Sequence, residues 1–218
     1  MTVSNLISAS TPPLRPSDTV EYGLGLMMEL HVRHVPVVTH DNRLAGLLSE
    51  EMLLDADSPS TPIGQLLGAE PVAVSVGTHV FDVTKVMMDH DLSLVPVLDA
   101  EGRYKGTIRR HDVFERFARM LATQESGAIV ALEVPKRDLS LSQIIYLIEQ
   151  NDTRVLSLST EAHDDTVGVT IKLNTRDATR IRHILEHNGY RVVAAFGEEE
   201  DAEDFLDRVQ EFMRYLEV

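Results

Sequence analysis

Val35-Pro36-Val37-Val38 and Val95-Pro96-Val97-Leu98 stand sixty positions apart, and the chain around them is two copies of one pattern. A gapless shift of sixty residues lays Leu6 on Leu66, Ala9 on Ala69, Val20 on Val80 and Met27-Met28 on Met87-Met88. The same shift lays Arg43 on Arg103 and Gly46 on Gly106. Matches that keep their spacing across several apolar blocks mark a duplicated structural unit.

Each copy is predicted as strand, helix, strand, hairpin turn, strand, helix. Asp18, followed three residues later by Glu21, reads as a capping box opening the first helix. Val20, Leu24, Met27 and Met28 recur at helical spacing, as do Val80, Val83, Met87 and Met88, and the methionines read as core filler. The Val-Pro-Val runs read as strands. Their prolines have no N–H to donate, so each is expected at a strand's first residue or beside an edge. His40-Asp41-Asn42-Arg43 and Ala100-Glu101-Gly102-Arg103 suit hairpin turns into the partner strands Leu44–Ser49 and Tyr104–Arg109. A sheet with helices on one side leaves an open face. The twin copy is its predicted cover, with clefts between the two related by a pseudo-twofold axis.

A helix ending near Met-Met, a hydrophobic-Pro-Val strand, an acidic turn and Gly-hydrophobic-x-(Ser/Thr)-x-x-Asp together resemble the CBS domain, paired as a Bateman module. The resemblance covers about residues 1–122. It implies an adenosine-type ligand (AMP, ADP, ATP or S-adenosylmethionine as a regulatory ligand, not a required cofactor) in a cleft between repeats, and regulation of a partner protein. The strand valines Val35, Val37, Val95 and Val97 are its expected apolar wall. A carboxylate for the ribose hydroxyls and hydroxyl or guanidinium groups for phosphate complete such a site. Copy one reads Gly46-Leu47-Leu48-Ser49-Glu50-Glu51-Met52, with the hydroxyl of Ser49 kept and the carboxylate replaced by Met52. Copy two reads Gly106-Thr107-Ile108-Arg109-Arg110-His111-Asp112, with the carboxylate kept and the hydroxyl replaced by Arg109. One nucleotide site is therefore expected, centred on Asp112, with Arg109 and Arg110 toward phosphate. The competing structural reading makes Asp112 a helix cap and the arginines a solvated pair.

From Ser126 the pattern changes, with Gly127 read as a hinge. Ala128 to Val134 reads as a strand, Leu141, Ile144, Ile145 and Ile148 as an amphipathic helix, and Arg154 to Thr160 as a strand. Val167, Val169, Ile171 and Leu173 alternate as another strand. A helix capped by Asn174 or Thr175 follows with Ala178, Ile181 and Leu185 inward, and then a strand through Tyr190, Val192, Ala194 and Phe196. The order βαββαβ is the ferredoxin-like split motif, an antiparallel sheet with two helices on one face. Order and length resemble the ACT domain over about residues 128–197, although Leu139 stands where the family's ligand loop has glycine. The domain is expected to serve dimerisation or regulation of a partner, and the chain is expected to be a homodimer. Phe205, Leu206, Val209, Phe212, Met213 and Leu216 form one stripe of an acidic amphipathic tail helix. The expected fold class is thus α+β, divided at 1–60, 61–125, 126–197 and 198–218. The CBS–CBS–ACT arrangement looks like the acetoin-utilisation accessory proteins of the AcuB type.

Other function classes fare worse. The net charge of −15 argues against a nucleic-acid partner, although an acidic total can conceal a local basic patch. No run of eighteen apolar residues is present, so no membrane span is expected. The start MTVSNLISASTPPLRP has neither a basic segment nor a continuous apolar one, and a cytoplasmic address is expected. Zero cysteines exclude disulfides and thiolate chemistry. His183 and His187 share a helix face at metal-ligand spacing but have no third ligand, and His31 and His34 at a helix-to-strand junction have none either. No nucleophile elbow, phosphate loop or zincin motif occurs, and the neighbours His111 and Asp112 do not make a dyad. The expectation is a regulator without catalytic or metal residues; the alternative is a structural adaptor with degenerate sites.

Overall fold

The computed structural model describes residues 3–68 and 70–197. The chain forms two compact units, the first ending at Arg116 and the second beginning at Phe117. The predicted tail helix at 198–218 lies outside the described residues.

The first unit runs α1 (Val20–Leu30), β1 (His34–Val38), β2 (Leu44–Ser49), α2 (Glu50–Leu54), β3 (Val74–Ser75), α3 (Val80–Asp89), β4 (Leu94–Leu98), β5 (Tyr104–Arg109) and α4 (Arg110–Met120). Helix α4 carries the chain across the boundary between the units. The cap of α1 is Thr19, one residue after the predicted Asp18: its hydroxyl accepts from the Tyr22 N–H, while Asp18 accepts from the Arg15 N–H at 2.7 Å. A side-chain oxygen there satisfies a helix-end N–H that would otherwise have no partner, worth about 1 kcal/mol. Helix α1 buries Val20, Gly23, Leu26 and Met27. The methionine pairs split: Met27 and Met87 are core, but Met28 and Met88 are 77% and 76% exposed, because adjacent helix positions lie about 100° apart.

In copy one the first strand shrinks to a single bridge between Leu14 and Val37, matching β3 on β4 in copy two. The prolines are the third residues of their strands, not the first. Leu14 donates to the Pro36 carbonyl and accepts from the Val38 N–H, so this pairing begins at the proline's oxygen and never requires its missing donor.

The two copies interlock. Ser8, in the leader of copy one, exchanges two backbone hydrogen bonds with Thr107 of copy two, at 2.9 and 3.0 Å. The Asn42 carbonyl accepts from the Tyr104 N–H at 2.9 Å. Leu94, which opens β4, belongs to the same core cluster as Val35, Val37, Leu48 and Leu53 of copy one. Gly106 permits this closeness: its φ is +141°, and a Cβ there would lie 2.7 Å from the Ser8 carbonyl oxygen. Each repeat covers the other, as the duplication predicts.

The second unit runs β6 (Ile129–Pro135), α5 (Leu141–Glu149), β7 (Val155–Ala162), β8 (Thr166–Leu173), α6 (Ala178–His187) and β9 (Arg191–Phe196). Its sheet is antiparallel with order β7-β8-β6-β9. Val130, Leu132 and Val134 alternate inward with Val167, Val169, Ile171 and Leu173. Ile144 and Ile148 of α5 and Ile181 and Leu185 of α6 join the same cluster, so both helices cover one face. The βαββαβ order is as predicted. The cap of α6 is Asp177, which accepts from the Arg180 N–H at 2.9 Å, rather than Asn174 or Thr175. Gly127 is not a free hinge: it packs against the Leu173 carbonyl, and its own carbonyl accepts from Lys172 Nζ at 3.0 Å.

Candidate functional site

The ends of β2 and β5 turn directly into α2 and α4, and β1 and β4 begin opposite those ends, pairing His34 with Ser49 and Leu94 with Arg109. The first helical N–H groups are closed in matching ways, from Glu50 to the Arg33 carbonyl and from Arg110 to the Ser93 carbonyl, both at 2.9 Å. The two equivalent stretches, Gly46 to Met52 and Gly106 to Asp112, therefore sit where a helix N-terminus meets the junction between repeats.

Locally that stretch is a capping box, and each copy retains one half of it. In copy one the Ser49 hydroxyl accepts from the Met52 N–H at 3.2 Å, and Met52 returns nothing. In copy two the cap position holds Arg109, and the Asp112 carboxylate reaches back to the Arg109 N–H at 3.2 Å. Asp112 also takes the Arg109 guanidinium side-on, from Nε at 3.1 Å and from Nη2 at 3.0 Å. That pairing raises the Arg109 pKa above its ordinary value.

A cavity of about 520 Å³ opens beside this turn, lined by Leu30, His31, Val32 and Arg33 of copy one and by Ser93, Arg109, Arg110 and His111 of copy two. Asp91 bridges two of its arginines, accepting from Arg110 Nη2 at 2.9 Å and from Arg33 Nη2 at 3.3 Å. The Arg110 hydrogen bond, then the charge of Arg33, hold the Asp91 carboxyl below the usual carboxylate range. Arg110 Nε also donates to the Leu92 carbonyl at 3.1 Å. Beneath them His34 Nδ1 contacts the Ser93 hydroxyl at 3.1 Å, and burial, followed by Arg33, lowers the His34 pKa.

The pseudo-twofold counterparts of Arg109, Arg110 and His111 are Ser49, Glu50 and Glu51, so the two ends of the junction carry opposite charge. Among the described residues, cationic side chains from both repeats meet the N-terminus of an eleven-residue helix at the copy-two end, with Asp91 and Asp112 paired to them, an arrangement suited to an anion that displaces those carboxylates. Of the residues expected from sequence, Arg109 and Arg110 line this cavity and Asp112 holds Arg109. Ser49 caps α2, and Val35, Val37, Val95 and Val97 are fully buried, with Val35 and Val37 in the core of copy one. Sequence reasoning passed over Arg33, Asp91 and Ser93. The sixty-residue shift that places Arg33 on Ser93 and His31 on Asp91 was the available signal, since residues at equivalent positions meet across the axis.

His183 and His187 are exposed beside Glu186 on a shallow groove with Leu147, Gln150 and Asn151. Among the described residues no group of three or more His, Asp or Glu side chains could hold a metal ion. No helix among them is long and apolar enough to cross a membrane.

Known proteins resemble the chain in its first half. The magnesium transporter MgtE of Thermus thermophilus is 32% identical over 104 residues, 48% of this chain and 23% of that protein. The chain spans less than a quarter of the length of the first curated relatives it matches, which include an inosine-5'-monophosphate dehydrogenase of Rhodopirellula baltica. Among solved structures, a CBS domain pair/ACT domain protein of Thermotoga maritima shares the fold with a TM-score of 0.51 and 23% identity, covering 56% of this chain and 99% of that one. The putative acetoin utilization protein AcuB of Vibrio cholerae gives a TM-score of 0.50 and 23% identity, covering 57% and 95%. The CBS domain family matches residues 3–59 and again residues 63–119. With both repeats matched and interlocked around one junction, the chain belongs to the CBS domain family as a tandem pair.

Proposed function

We infer that this chain is a non-catalytic regulator whose CBS pair senses one phosphorylated adenosine compound in the cleft at the N-terminus of α4. The observation that carries this reading is the convergence of Arg33, Arg109 and Arg110, from both repeats, on one cavity in a chain of net charge −15. Family membership implies the adenosine. The cationic lining favours AMP, ADP or ATP over S-adenosylmethionine, whose sulfonium would meet like charge. Asp112 is the carboxylate for the ribose hydroxyls; Val35, Val37, Val95 and Val97, expected as the apolar wall, are fully buried core and do not line the cavity. The copy-one end, with Ser49, Glu50, Glu51 and Met52, offers a phosphate neither cations nor a ribose carboxylate, so the reading is one site per chain. The second unit is read as ACT-like, serving dimerisation or contact with a regulated cytoplasmic protein. Ligand control of that contact requires the ligand to favour one of two arrangements.

An adaptor with degenerate sites is the rival reading, favoured by the engagement of Asp112 with Arg109. A thermal-shift panel of AMP, ADP, ATP and S-adenosylmethionine on the full chain separates the two. A ligand at about 100 times its dissociation constant adds roughly 2.7 kcal/mol of stability, and Arg33→Ala or Arg110→Ala should reduce the shift. No shift with any of the four at millimolar concentration supports the adaptor. Light scattering on the full chain, with and without the best ligand, tests the dimer.

A further inference from the structure

The Arg109–Asp112 pair places the two groups a nucleotide needs in each other's way. A carboxylate has about four acceptor sites, and three hydrogen bonds already reach Asp112: from the Arg109 backbone N–H, from Nε and from Nη2. Two ribose hydroxyls cannot both donate to it while the guanidinium remains side-on. The pair is accessible, with Arg109 and Asp112 side chains 36% and 18% exposed, so a ligand can reach and exchange it. Arg109 also lines the cavity shared with Arg33 and Arg110, so an anion bound there lies within the reach of its side chain.

We propose that Arg109 is a latch on Asp112, released only by a ligand that brings both a phosphate for the guanidinium and a cis-diol for the carboxylate. The inference rests on the nucleotide reading of this cleft and adds the selectivity rule: nucleotides are accepted and nucleosides refused. Adenosine must break the Arg109–Asp112 pair and offers the guanidinium no anion in exchange. A nucleotide exchanges one charge-assisted partner for another, which is nearly balanced. Copy one shows that the latch is separable from the fold, because Ser49 occupies the equivalent position and caps its helix without any such pair.

Arg109→Ser tests the latch, since it installs in copy two the residue copy one already carries there. Titration calorimetry of AMP and adenosine on the full chain should show the wild type preferring AMP by at least about tenfold. In Arg109→Ser adenosine should tighten, narrowing the ratio severalfold, while Arg33 and Arg110 still hold the phosphate of AMP. Arg109→Lys, which keeps the charge but loses the side-on fork, should fall between them, and thermal melts of both variants check folding. If the wild type binds AMP and Arg109→Ser leaves adenosine as weak as before, the latch is wrong while the cleft assignment stands. If the wild type binds adenosine as tightly as AMP, the latch is likewise overturned. If neither compound binds either protein, the nucleotide reading fails and the latch with it.

Discussion

The backbone N–H of Ser93, in the second repeat, donates to Nδ1 of His34, in the first, at 3.2 Å. That bond requires Nδ1 to be unprotonated, and Arg33 and Arg110 disfavour a charge there while Asp91 opposes them more weakly than burial acts. The folded-state pKa of His34 therefore lies below 6.5, the value expected in the unfolded chain. Below that value the unfolded state binds more protons, so this contribution to stability is complete above about pH 6.5 and is lost as pH falls toward the folded pKa. Urea unfolding at pH 7.5, 6.5 and 5.5 should show the wild type losing more stability on acidification than His34→Gln, whose amide oxygen can accept the same N–H at every pH. Equal losses would show that His34 does not titrate across this junction.

Asp91 pairs with both Arg33 and Arg110 before any ligand arrives, offsetting part of their charge. Asp91→Asn removes the competing charge and leaves both guanidiniums to a phosphate. AMP affinity should rise by about threefold to tenfold, with the gain shrinking as salt is added. The pair is exposed, so the unfolding midpoint should hardly move. Weaker AMP binding in Asp91→Asn would mean that the carboxylate orients the arginines rather than competing for them.

The duplication was legible because burial enforces apolar positions at fixed intervals, and both copies bury the same ones: Val20 with Val80, Met27 with Met87, Val35 with Val95. The βαββαβ order of the second unit was legible for the same reason, through the strict alternation of Val167, Val169, Ile171 and Leu173. The caps were misplaced where several cap-forming residues stand in a row. Ser17-Asp18-Thr19 and Asn174-Thr175-Arg176-Asp177 each offer more than one side chain, and backbone geometry, not residue type, selects Thr19 and Asp177. The site was legible only to the level of its motif. Spacing identifies Asp112 as the motif's carboxylate, but it does not reveal that Arg109 folds back onto it. Arg33 and Asp91 lie 58 residues apart and meet only because the repeats interlock, which no local window of sequence contains.

Gly106 and Gly46 are equivalent in the repeat but not in their tolerance of a side chain. At Gly106 the backbone φ of +141° is itself unfavourable for alanine, and the new methyl would press on the carbonyl of Ser8, a residue fixed by two backbone hydrogen bonds to Thr107. At Gly46 the obstacle is the end of the Leu67 side chain, which can change rotamer. Gly106→Ala should therefore destabilise by about 2–3 kcal/mol, and Gly46→Ala by about 1 kcal/mol or less. Denaturant midpoints of the two variants check the order; equal losses would mean that the Ser8 leader moves aside as readily as Leu67.

The divided capping box makes the last prediction, because its halves can be completed or removed independently. Ser49 supplies the hydroxyl that holds the Met52 N–H, so Ser49→Ala leaves the start of α2 uncapped and should lower stability by about 1 kcal/mol. Met52 stands where copy two has Asp112, at a position 38% exposed, from which a shorter polar side chain can reach solvent. Met52→Asp would return a carboxylate to the Ser49 N–H, completing the box and adding a negative charge in the first turn, where the helix dipole favours it. Glu50 and Glu51 already stand in that turn, and their repulsion offsets part of the gain, leaving about 0.5 kcal/mol of net stabilisation at pH 7. The gain should disappear in acid, once the new side chain is a neutral acid, a weaker acceptor with no charge for the helix dipole. Urea midpoints at pH 7 and about pH 3 would show Met52→Asp above the wild type at the first and no longer so at the second. A variant that stays more stable at both would be acting through its packing and not through the returned carboxylate.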